Sequence, residues 1–431
     1  MIEAERVCRV KLNRLNITGF RGLSNVNIDL GGKSAVFFGV NGAGKTSVLR
    51  GINLLYASII NKVVNRKELR QQYNIELNDI RYGKPFAKIQ GDFLVNTGEK
   101  SSVIYERGME RRTGKRTHTK ENLDIIAASI QESYLNDEKQ ESIPIFVNYG
   151  TNRLVLDIPL RIRTHHEFDV YSAYEKAIEN RIDFRTFFEW YRNQEDSENA
   201  VKVQNKDFDY EDHSLAAVRL AIMAMLPEFR NIHITRKPRL AMVVEKEGMN
   251  LNVSQLSDGE KCALALFGDL AKRLSLANPN LQNPLLGEGV VLIDEIELHM
   301  HPSWQRMILG VLRSTFPNVQ FIITTHSPIV LSEVDDSYNI FFMENDGKGT
   351  TINDFRRLDG YDTNYILESF MGTKSRNKKT EELIRSMYKA INSNDEENAV
   401  NKLERLIELT NNNNEDVIAA KLLMKKKGMS E

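Results

Sequence analysis

The sequence predicts an α/β fold in which helices flank a parallel sheet. Short apolar runs, typical of strands buried on both faces, occur at Ala35–Phe38, Val290–Ile293 and Val319–Thr324. Helical patterns separate these runs, and strands that alternate with helices indicate a parallel sheet. The first run ends in a glycine-rich turn that a helical pattern follows, so the sequence gives strand, glycine loop and helix in that order.

The same patterns divide the chain into four parts. We expect residues 1–152 and 241–345 to form the two halves of one α/β domain. Residues 153–240 are mostly helical and predict a lid inserted between the halves, and residues 346–431 predict a helical accessory region for docking a partner. The lid carries aromatic residues at helical spacing that we expect to form its core: Phe184, Phe187, Phe188, Trp190 and Tyr191.

Composition limits the class of protein without selecting a partner. The formal net charge of −1 neither requires nor excludes nucleic acid. The two cysteines, Cys8 and Cys262, cannot form a disulfide framework or a four-thiolate metal site, and such scarcity suits a reducing compartment. No run reaches the roughly 18 apolar residues of a membrane span, and the first residues lack the apolar stretch of a signal peptide. We therefore expect a cytoplasmic protein with no membrane partner.

The loop Gly39–Thr46, GVNGAGKT, fits the phosphate-binding pattern of P-loop proteins. Glycines allow backbone N–H groups to surround phosphates, and the N-terminus of the following helix adds a positive dipole end. Lys45 can reach the β and γ phosphates, and Thr46 can ligate Mg²⁺. The sequence thus predicts ATP and Mg²⁺ as cofactors. The residues expected at the nucleotide are Asn41, Gly42, Gly44, Lys45, Thr46 and Ser47.

Two acids follow the apolar run Val290–Ile293. Asp294 can hold Mg²⁺ through water, and Glu295 can polarise the water that attacks the γ-phosphate. Acids at strand ends are common in α/β proteins and are weak evidence alone. Together with the phosphate loop they predict a Walker B strand, with Glu295 as a catalytic residue.

The segment Leu256–Glu260, LSDGE, opens a predicted helix. Ser257 is a suitable N-cap, and Glu260 completes a capping box with it. The segment precedes Asp294 as the LSGGQ-type signature does in ABC ATPases, which it resembles. That signature grips the γ-phosphate of nucleotide bound to the opposite subunit, so the resemblance implies a homodimer or a higher even-numbered oligomer. It assigns four residues to nucleotide binding: Ser257, Asp258, Gly259 and Glu260.

His326 follows the apolar run Val319–Thr324 and matches the switch histidine of the same superfamily. A single histidine at a strand end is usually structural. Four motifs in this order, however, resemble an ABC-type P-loop head over roughly residues 9–345. The resemblance adds His326 to the expected catalytic residues.

The segment Leu15–Gly22, LNITGFRG, resembles the opening of RecF, SMC and OLD-family ATPases, in which it lies against the nucleotide. Arg21 is therefore a candidate nucleotide contact, although a surface arginine in a turn is an alternative. The chain between Thr46 and Ser257 is too short for the long coiled coil of an SMC protein.

Four further segments resemble the PtuA ATPases of Septu and retron-linked phage defence: Tyr149–Arg153, Phe187–Tyr191, Asp294–Pro302 and Gly360–Asn364. The resemblance implies regulation of an HNH nuclease subunit, similar to PtuB, that acts on nucleic acid. A RecF-like DNA repair clamp without a nuclease partner is one alternative. A self-sufficient OLD-like nuclease is another, and it requires a carboxylate cluster beyond Asn345 that the sequence does not present.

Three further features of the sequence concern the site and its surroundings. The Q-loop glutamine expected before the lid is absent, because Asn148–Arg153 occupy that place and Gln90 lies inside a predicted hairpin over residues 87–106. The pair His299 and His301 has zinc-ligand spacing but no evident third ligand. The basic tract Arg107–Lys120 predicts either a phosphate-binding surface or a solvated loop.

Overall fold

The computed structural model describes residues 9–64, 69, 73–95, 99–109, 116–135, 142–153, 167–345, 349–355, 357–358, 360–374 and 376–429. Over 99–109, 116–121 and 132–135 it describes the backbone alone. The chain divides into two compact units, Met1–Tyr361 and Asp362–Glu431. Among the described residues, no helix combines the length and the apolar character that crossing a membrane requires.

The described elements of the first unit include fourteen strands and seven α-helices. The strands are β1 (Val10–Phe20), β2 (Leu23–Asp29), β3 (Ser34–Gly39), β4 (Phe86–Val95), β5 (Glu99–Met109), β6 (Arg116–Glu121), β7 (Ile145–Tyr149), β8 (Phe229–Thr235), β9 (Ala241–Lys246), β10 (Met249–Asn252), β11 (Gly289–Ile293), β12 (Val319–Thr325), β13 (Tyr338–Asn345) and β14 (Thr350–Phe355). The helices are α1 (Lys45–Val63), α2 (Leu123–Leu135), α3 (Phe184–Asn205), α4 (His213–Met225), α5 (Asp258–Ala277), α6 (Pro302–Thr315) and α7 (Pro328–Ser332).

The central sheet has the strand order β14-β13-β3-β12-β11-β7. Its strands are parallel except β14, which pairs antiparallel at one edge. Every residue of β7, β11 and β12 is buried, as expected for parallel strands covered on both faces. The predicted α/β class is confirmed. The carboxyl ends of the parallel strands meet at one edge, where open α/β sheets bind ligands.

A second sheet is antiparallel, in the order β2-β1-β4-β5-β6. Gly51 of α1 allows this helix to approach β1, because a Cβ at Gly51 would lie 2.9 Å from the Cδ1 atom of Ile17. The hairpin predicted over residues 87–106 is confirmed as β4 and β5. Residues 110–115 of the basic tract, and the side chains of the rest of it, lie outside the described part of the structure. Its binding role stays a prediction.

The segment predicted as a helical lid is helical only in part. Residues 154–166 of the lid lie outside the described residues, and α3 and α4 follow. All five lid aromatics are buried, which confirms their core role. β8 then joins β9 and β10 in a three-stranded sheet, so a boundary at residue 240 would cut through paired strands. A register shift between Arg230 and His233 interrupts the alternation of β8, which explains why the sequence pattern does not reveal this strand.

The first compact unit ends at Tyr361, beyond the boundary that the sequence predicts after Asn345. β14 pairs with β13 from Asn345↔Thr350 to Ile340↔Phe355 and completes the central sheet. As an edge strand it is largely exposed or half-buried and lacks the apolar run of a buried strand. The first unit therefore includes residues that the sequence assigned to the accessory region.

The described elements of the second unit are helices: α8 (Thr363–Phe370), α9 (Lys378–Asn392), α10 (Glu396–Leu409) and α11 (Glu415–Lys426). A core of its own joins α9, α10 and α11. Met387, Leu406 and Met424 are fully buried in that core, one from each of these helices. The second unit therefore has the packed interior that an independently folding module requires.

Candidate functional site

The loop after β3 contains three glycines with positive φ angles. Gly39, Gly42 and Gly44 have φ values of 145°, 80° and 99°. A Cβ at Gly39 would lie 2.0 Å from the carbonyl oxygen of Met343, so no side chain fits there. Gly44 is the N-cap of α1, and no side chain caps this helix N-terminus. Its N–H groups and the positive end of the helix dipole form a surface suited to phosphate.

Lys45 begins α1 and is nearly enclosed, with 5% of its surface exposed. Its Nζ donates hydrogen bonds to the carbonyl oxygens of Gly39, at 2.8 Å, and Val40, at 3.1 Å. Burial lowers the pKa of Lys45 to about 8, although the neighbouring carboxylates, chiefly that of Asp294, act in the opposite direction. The ammonium group thus lies inside the loop that would surround a phosphate chain.

The remaining predicted loop residues are accessible to a ligand: Asn41, Gly42 and Thr46 are exposed, and Ser47 is half-buried. The loop has one support that the sequence does not reveal. Thr350 of β14 donates a hydrogen bond from Oγ1 to the carbonyl oxygen of Ala43 at 3.0 Å. The edge strand therefore stabilises the phosphate loop directly.

Asp294, at the end of β11, is in contact with the loop residue Thr46. The Thr46 hydroxyl donates to Oδ2 of Asp294 at 3.1 Å, and the Thr324 hydroxyl donates to Oδ1 at 2.5 Å. Thr324 lies next to Asp294 because of the register between β11 and β12, which pairs Ile293 with Ile323. A hydroxyl and a carboxylate oxygen are ligands that Mg²⁺ prefers, so Thr46 and Asp294 together fit this ion.

Glu295 and His326 lie at the same edge of the sheet and are both half-buried. Glu297, which the sequence analysis missed, joins this part of the site to β12. Its Oε1 accepts from the His326 N–H at 2.6 Å, and its Oε2 accepts from the Thr325 hydroxyl at 2.8 Å. Burial, reinforced by the charge of Lys45, lowers the pKa of His326, so its imidazole is neutral at pH 7.

The segment before α5 forms the predicted capping box. The Glu260 N–H donates to Ser257 Oγ, and the Ser257 N–H donates to Glu260 Oε2 at 2.8 Å. Ser257 and Asp258 are exposed, whereas Glu260 is buried and also accepts from Lys246 at 2.5 Å. Within one copy of the chain the Glu260 carboxylate caps the helix and pairs with Lys246, and its nucleotide role stays a prediction.

Gly259, the fourth residue of this segment, is half-buried because the chain after β11 passes close to it. A Cβ at Gly259 would lie 2.5 Å from the carbonyl oxygen of His299 and 3.1 Å from the Trp304 ring. Close packing within one copy of the chain therefore accounts for the glycine at this position.

Arg21 lies in a turn between β1 and β2 with a φ of 50°. Its Nε donates to Oδ1 of the buried Asp79 at 2.7 Å, and Arg50 Nη2 donates to Oδ2 of the same carboxylate at 3.2 Å. Both arginines line a cavity of about 160 Å³ together with Thr46 and Asp294. Arg21 thus lines the same cavity as the predicted magnesium ligands, and its contact with nucleotide stays a prediction.

Residues 34–332, which include all of these motifs except Arg21, match the family described as "AAA domain, putative AbiEii toxin, Type IV TA system". The chain belongs to this AAA-domain family. The match covers more than half of the chain, from the strand that precedes the phosphate loop to α7.

Curated relatives of this AAA-domain protein extend the match. "Retron Ec83 probable ATPase" of Escherichia coli is 30% identical over 79% of this chain and 72% of its own length. "Retron Vc95 probable ATPase" of Vibrio cholerae serotype O1 biovar El Tor is 28% identical over 76% and 72%. "Septu protein PtuA" of Bacillus mycoides (strain KBAB4) is 26% identical over 78% of this chain and 41% of its own length. The predicted resemblance to retron-linked and Septu ATPases is confirmed.

This AAA-domain chain departs from the expected Q-loop, as its sequence indicates. Gln90 lies within β4 of the antiparallel sheet, paired with Asn16 and Ile104. At the end of β7, Asn148 donates a hydrogen bond from Nδ2 to Asn180 Oδ1, and both residues line the cavity beside Thr46. Carboxamides therefore occupy the place where the sequence analysis expected a glutamine.

The two histidines after β11 have separate surroundings. Nδ1 of His301 accepts a hydrogen bond from the Ser303 N–H and caps α6. His299 is exposed, with a φ of 64°. Within the described ranges, no group of three histidine, cysteine, aspartate or glutamate residues can hold a metal ion. The observed contacts favour a structural role for His301.

Proposed function

We propose that this chain is an ABC-type ATPase that binds and hydrolyses ATP between two head-to-head copies. One observation carries the proposal. The phosphate loop with Lys45, the contact of Thr46 with Asp294, and the link from Glu297 to His326 converge on the carboxyl edge of one parallel sheet. Two relatives of this chain are named probable ATPases, which supports the same activity.

The residues of one copy have distinct roles in this proposal. The N–H groups of the loop and the Lys45 ammonium hold the phosphates, and the Thr46 hydroxyl and Asp294 hold Mg²⁺. The ion neutralises charge that develops on the phosphates. Glu295 polarises the attacking water. His326 lies at the same edge of the sheet, and its main-chain N–H donates to Glu297. Arg21 contacts the nucleotide from the cavity.

The second copy supplies Leu256–Glu260, which we call the signature segment. Ser257 and Asp258 are exposed at the N-terminus of α5, a helix of 20 residues whose dipole favours an anion. A γ-phosphate held by Lys45 of one copy and by this segment of the other would bind the two heads together. Nucleotide binding and dimer formation are then one event.

Replacing Glu295 by Gln tests this proposal. We expect E295Q to hydrolyse ATP more slowly by roughly 10²–10⁴-fold and to accumulate an ATP-dependent dimer, because binding remains while water activation is lost. Light scattering and phosphate release measure the two effects. The double variant E295Q/S257R should bind ATP as a monomer, since Ser257 is exposed and its replacement blocks only the second copy. An E295Q chain whose mass does not respond to ATP would contradict the head-to-head model.

We further propose that the ATPase controls a nuclease partner of the HNH type that acts on nucleic acid in anti-phage defence. The support is the similarity to retron-linked and Septu proteins. Pull-down with the tagged chain followed by mass spectrometry should recover such a subunit. Metal-dependent DNA cleavage by the purified chain alone would instead favour a self-sufficient OLD-like nuclease, and a RecF-like clamp would bind DNA with no nuclease partner.

A further inference from the structure

Arg153 is a buried arginine that the proposed mechanism does not use. It follows β7 and has 1% of its surface exposed. Its Nη2 donates to the carbonyl oxygen of Asp294 at 2.9 Å and to the carbonyl oxygen of Glu295. Its Nε and Nη1 have no hydrogen-bond partner among the described residues. A buried guanidinium with two donor atoms unpaired within the described part of the chain is costly to stability, so we looked for a role beyond packing.

The turn that Arg153 contacts has an uncommon conformation. Glu295 has a φ of 47°, a left-handed value that residues other than glycine rarely adopt. Such a conformation persists only where surrounding contacts enforce it. On one side Thr324 accepts the Glu295 N–H on its Oγ1 at 2.9 Å and the Ile296 N–H on its carbonyl oxygen at 3.1 Å. On the other side Arg153 holds the Glu295 carbonyl.

The charge of Arg153 also lies among acidic groups of the site. Burial lowers the pKa of Arg153, while the thiol of Cys262 on α5 and the carboxylates of Glu297 and Asp294 act to raise it. Burial raises the pKa of the Cys262 thiol, and the charge of Arg153 acts to lower it. Arg153 therefore contacts the acidic turn Asp294–Glu295 and interacts electrostatically with Cys262 of α5, the helix that Ser257 caps.

We propose that Arg153 is a positioning residue for the proposed ATP hydrolysis: its guanidinium fixes the main chain of Asp294 and Glu295 so that the Glu295 carboxylate is placed at the attacking water. The inference rests on the proposed function. Both carbonyl groups accept from the one Nη2 atom, and the place of that atom is set by the length and the rigid plane of the guanidinium group, which lysine lacks. A displacement of Glu295 would affect the chemical step more than nucleotide binding, because the Asp294 carboxylate is also held by the hydroxyls of Thr46 and Thr324.

The test compares R153K and R153M with the wild-type chain. R153K keeps the charge but loses the planar donor group, and R153M keeps most of the volume without charge. We expect kcat for ATP hydrolysis to fall by about 10²-fold in both variants, as for a misplaced catalytic group. We expect KM, and the Kd for a non-hydrolysable ATP analogue, to change by less than about twofold. This split of kcat from KM would not arise from a general loss of folded protein.

Arg273 provides a matched control. It is also buried and donates from Nη1 to two main-chain carbonyls, those of Ala173 at 2.7 Å and Glu175 at 3.0 Å, away from the acidic turn. R273K should lower the urea midpoint of unfolding but leave kcat within about twofold. An equal fall of kcat in R273K, or wild-type kcat in R153K, would overturn the positioning role. If R153M does not fold, R153K decides the question.

The wild-type measurements separate this inference from the proposed function. A wild-type chain that neither binds the analogue nor hydrolyses ATP would overturn the proposed function and the inference with it. A wild-type chain that hydrolyses ATP, together with folded R153K and R153M variants of unchanged kcat, would overturn the inference alone.

Discussion

Lys45 shows how burial prepares a single residue for an anionic ligand. Its ammonium donates hydrogen bonds to two loop carbonyls, and burial brings its pKa from 10.5 to about 8. Between these values the unfolded chain keeps the proton and the folded chain does not, so the contribution of Lys45 to stability rises with pH through this window. Below about pH 8 the buried charge destabilises the folded state, and a bound anion would offset that cost.

We therefore predict that ATP binding takes up a proton near pH 8, because the triphosphate raises the pKa of Lys45 towards its ordinary value. The apparent affinity for ATP should fall as the pH rises above about 8, by up to roughly tenfold per unit, since binding then requires protonation. Calorimetric titration at pH 8 in two buffers of different ionisation enthalpy measures the uptake. Equal binding enthalpies in both buffers would contradict the prediction.

At the scale of elements, the helix α5 connects the signature segment to the interior of the first unit. Asp269 on α5 is completely buried and pairs with Arg273 at 2.7 Å and Lys272 at 3.1 Å. It also accepts from the hydroxyl of Tyr149, the last residue of β7, at 2.9 Å. Burial alone would raise the pKa of Asp269, but the two cations hold it well below its usual range. The carboxylate therefore stays charged and joins α5 to β7.

Replacing Asp269 by Ala leaves two cations buried without their carboxylate. We predict that D269A lowers the free energy of unfolding by about 3–5 kcal/mol at pH 7. This contribution is present above the ordinary aspartate pKa near 3.9 and is lost as the pH falls through the lowered value. Urea unfolding followed by tryptophan fluorescence measures it, because both tryptophans, Trp190 and Trp304, belong to the first unit.

The matched control for this prediction is Asp336, whose ion pair with Arg357 is more than half exposed on both sides. D336A should cost less than about 1 kcal/mol, because solvent screens exposed pairs. Similar losses for D336A and D269A would show that the buried cluster on α5 has no special weight.

At the scale of the whole molecule, the chain comprises two units with separate cores. All the residues proposed to bind nucleotide lie in the first unit. The last strand of that unit, β14, pairs with β13 and supports the phosphate loop through Thr350. We therefore expect that a shortened chain keeps ATP binding only if it retains β14.

We predict that a chain ending at Tyr361 binds a non-hydrolysable ATP analogue within about twofold of the full chain, because its core and its site are complete. A chain ending at Asn345 should bind at least about tenfold more weakly or aggregate. It loses the hydrogen bond to Ala43 and exposes the unpaired edge of β13. Calorimetry and size-exclusion chromatography compare the two. Equal binding by both chains would contradict a role for β14.

The sequence by itself determined the α/β class, the phosphate loop Gly39–Thr46, and the acids and histidine that follow β11 and β12. These features depend on local patterns: apolar runs of buried strands, glycines with positive φ, and polar residues at strand ends. The capping box of Ser257 and Glu260 is equally local, and its geometry is confirmed. A capping box joins residues only three positions apart, so it could not reveal that Lys246, which is more distant in the chain, pairs with Glu260.

Only the tertiary structure decided which distant residues meet at these motifs. Asp294 contacts Thr324 because of the register between β11 and β12, and Glu297 reaches His326 across the same pair of strands. Arg153 reaches the acidic turn, and β14 completes the sheet, through contacts between segments far apart in the chain. Such contacts depend on strand order and side-chain burial, which no local pattern encodes.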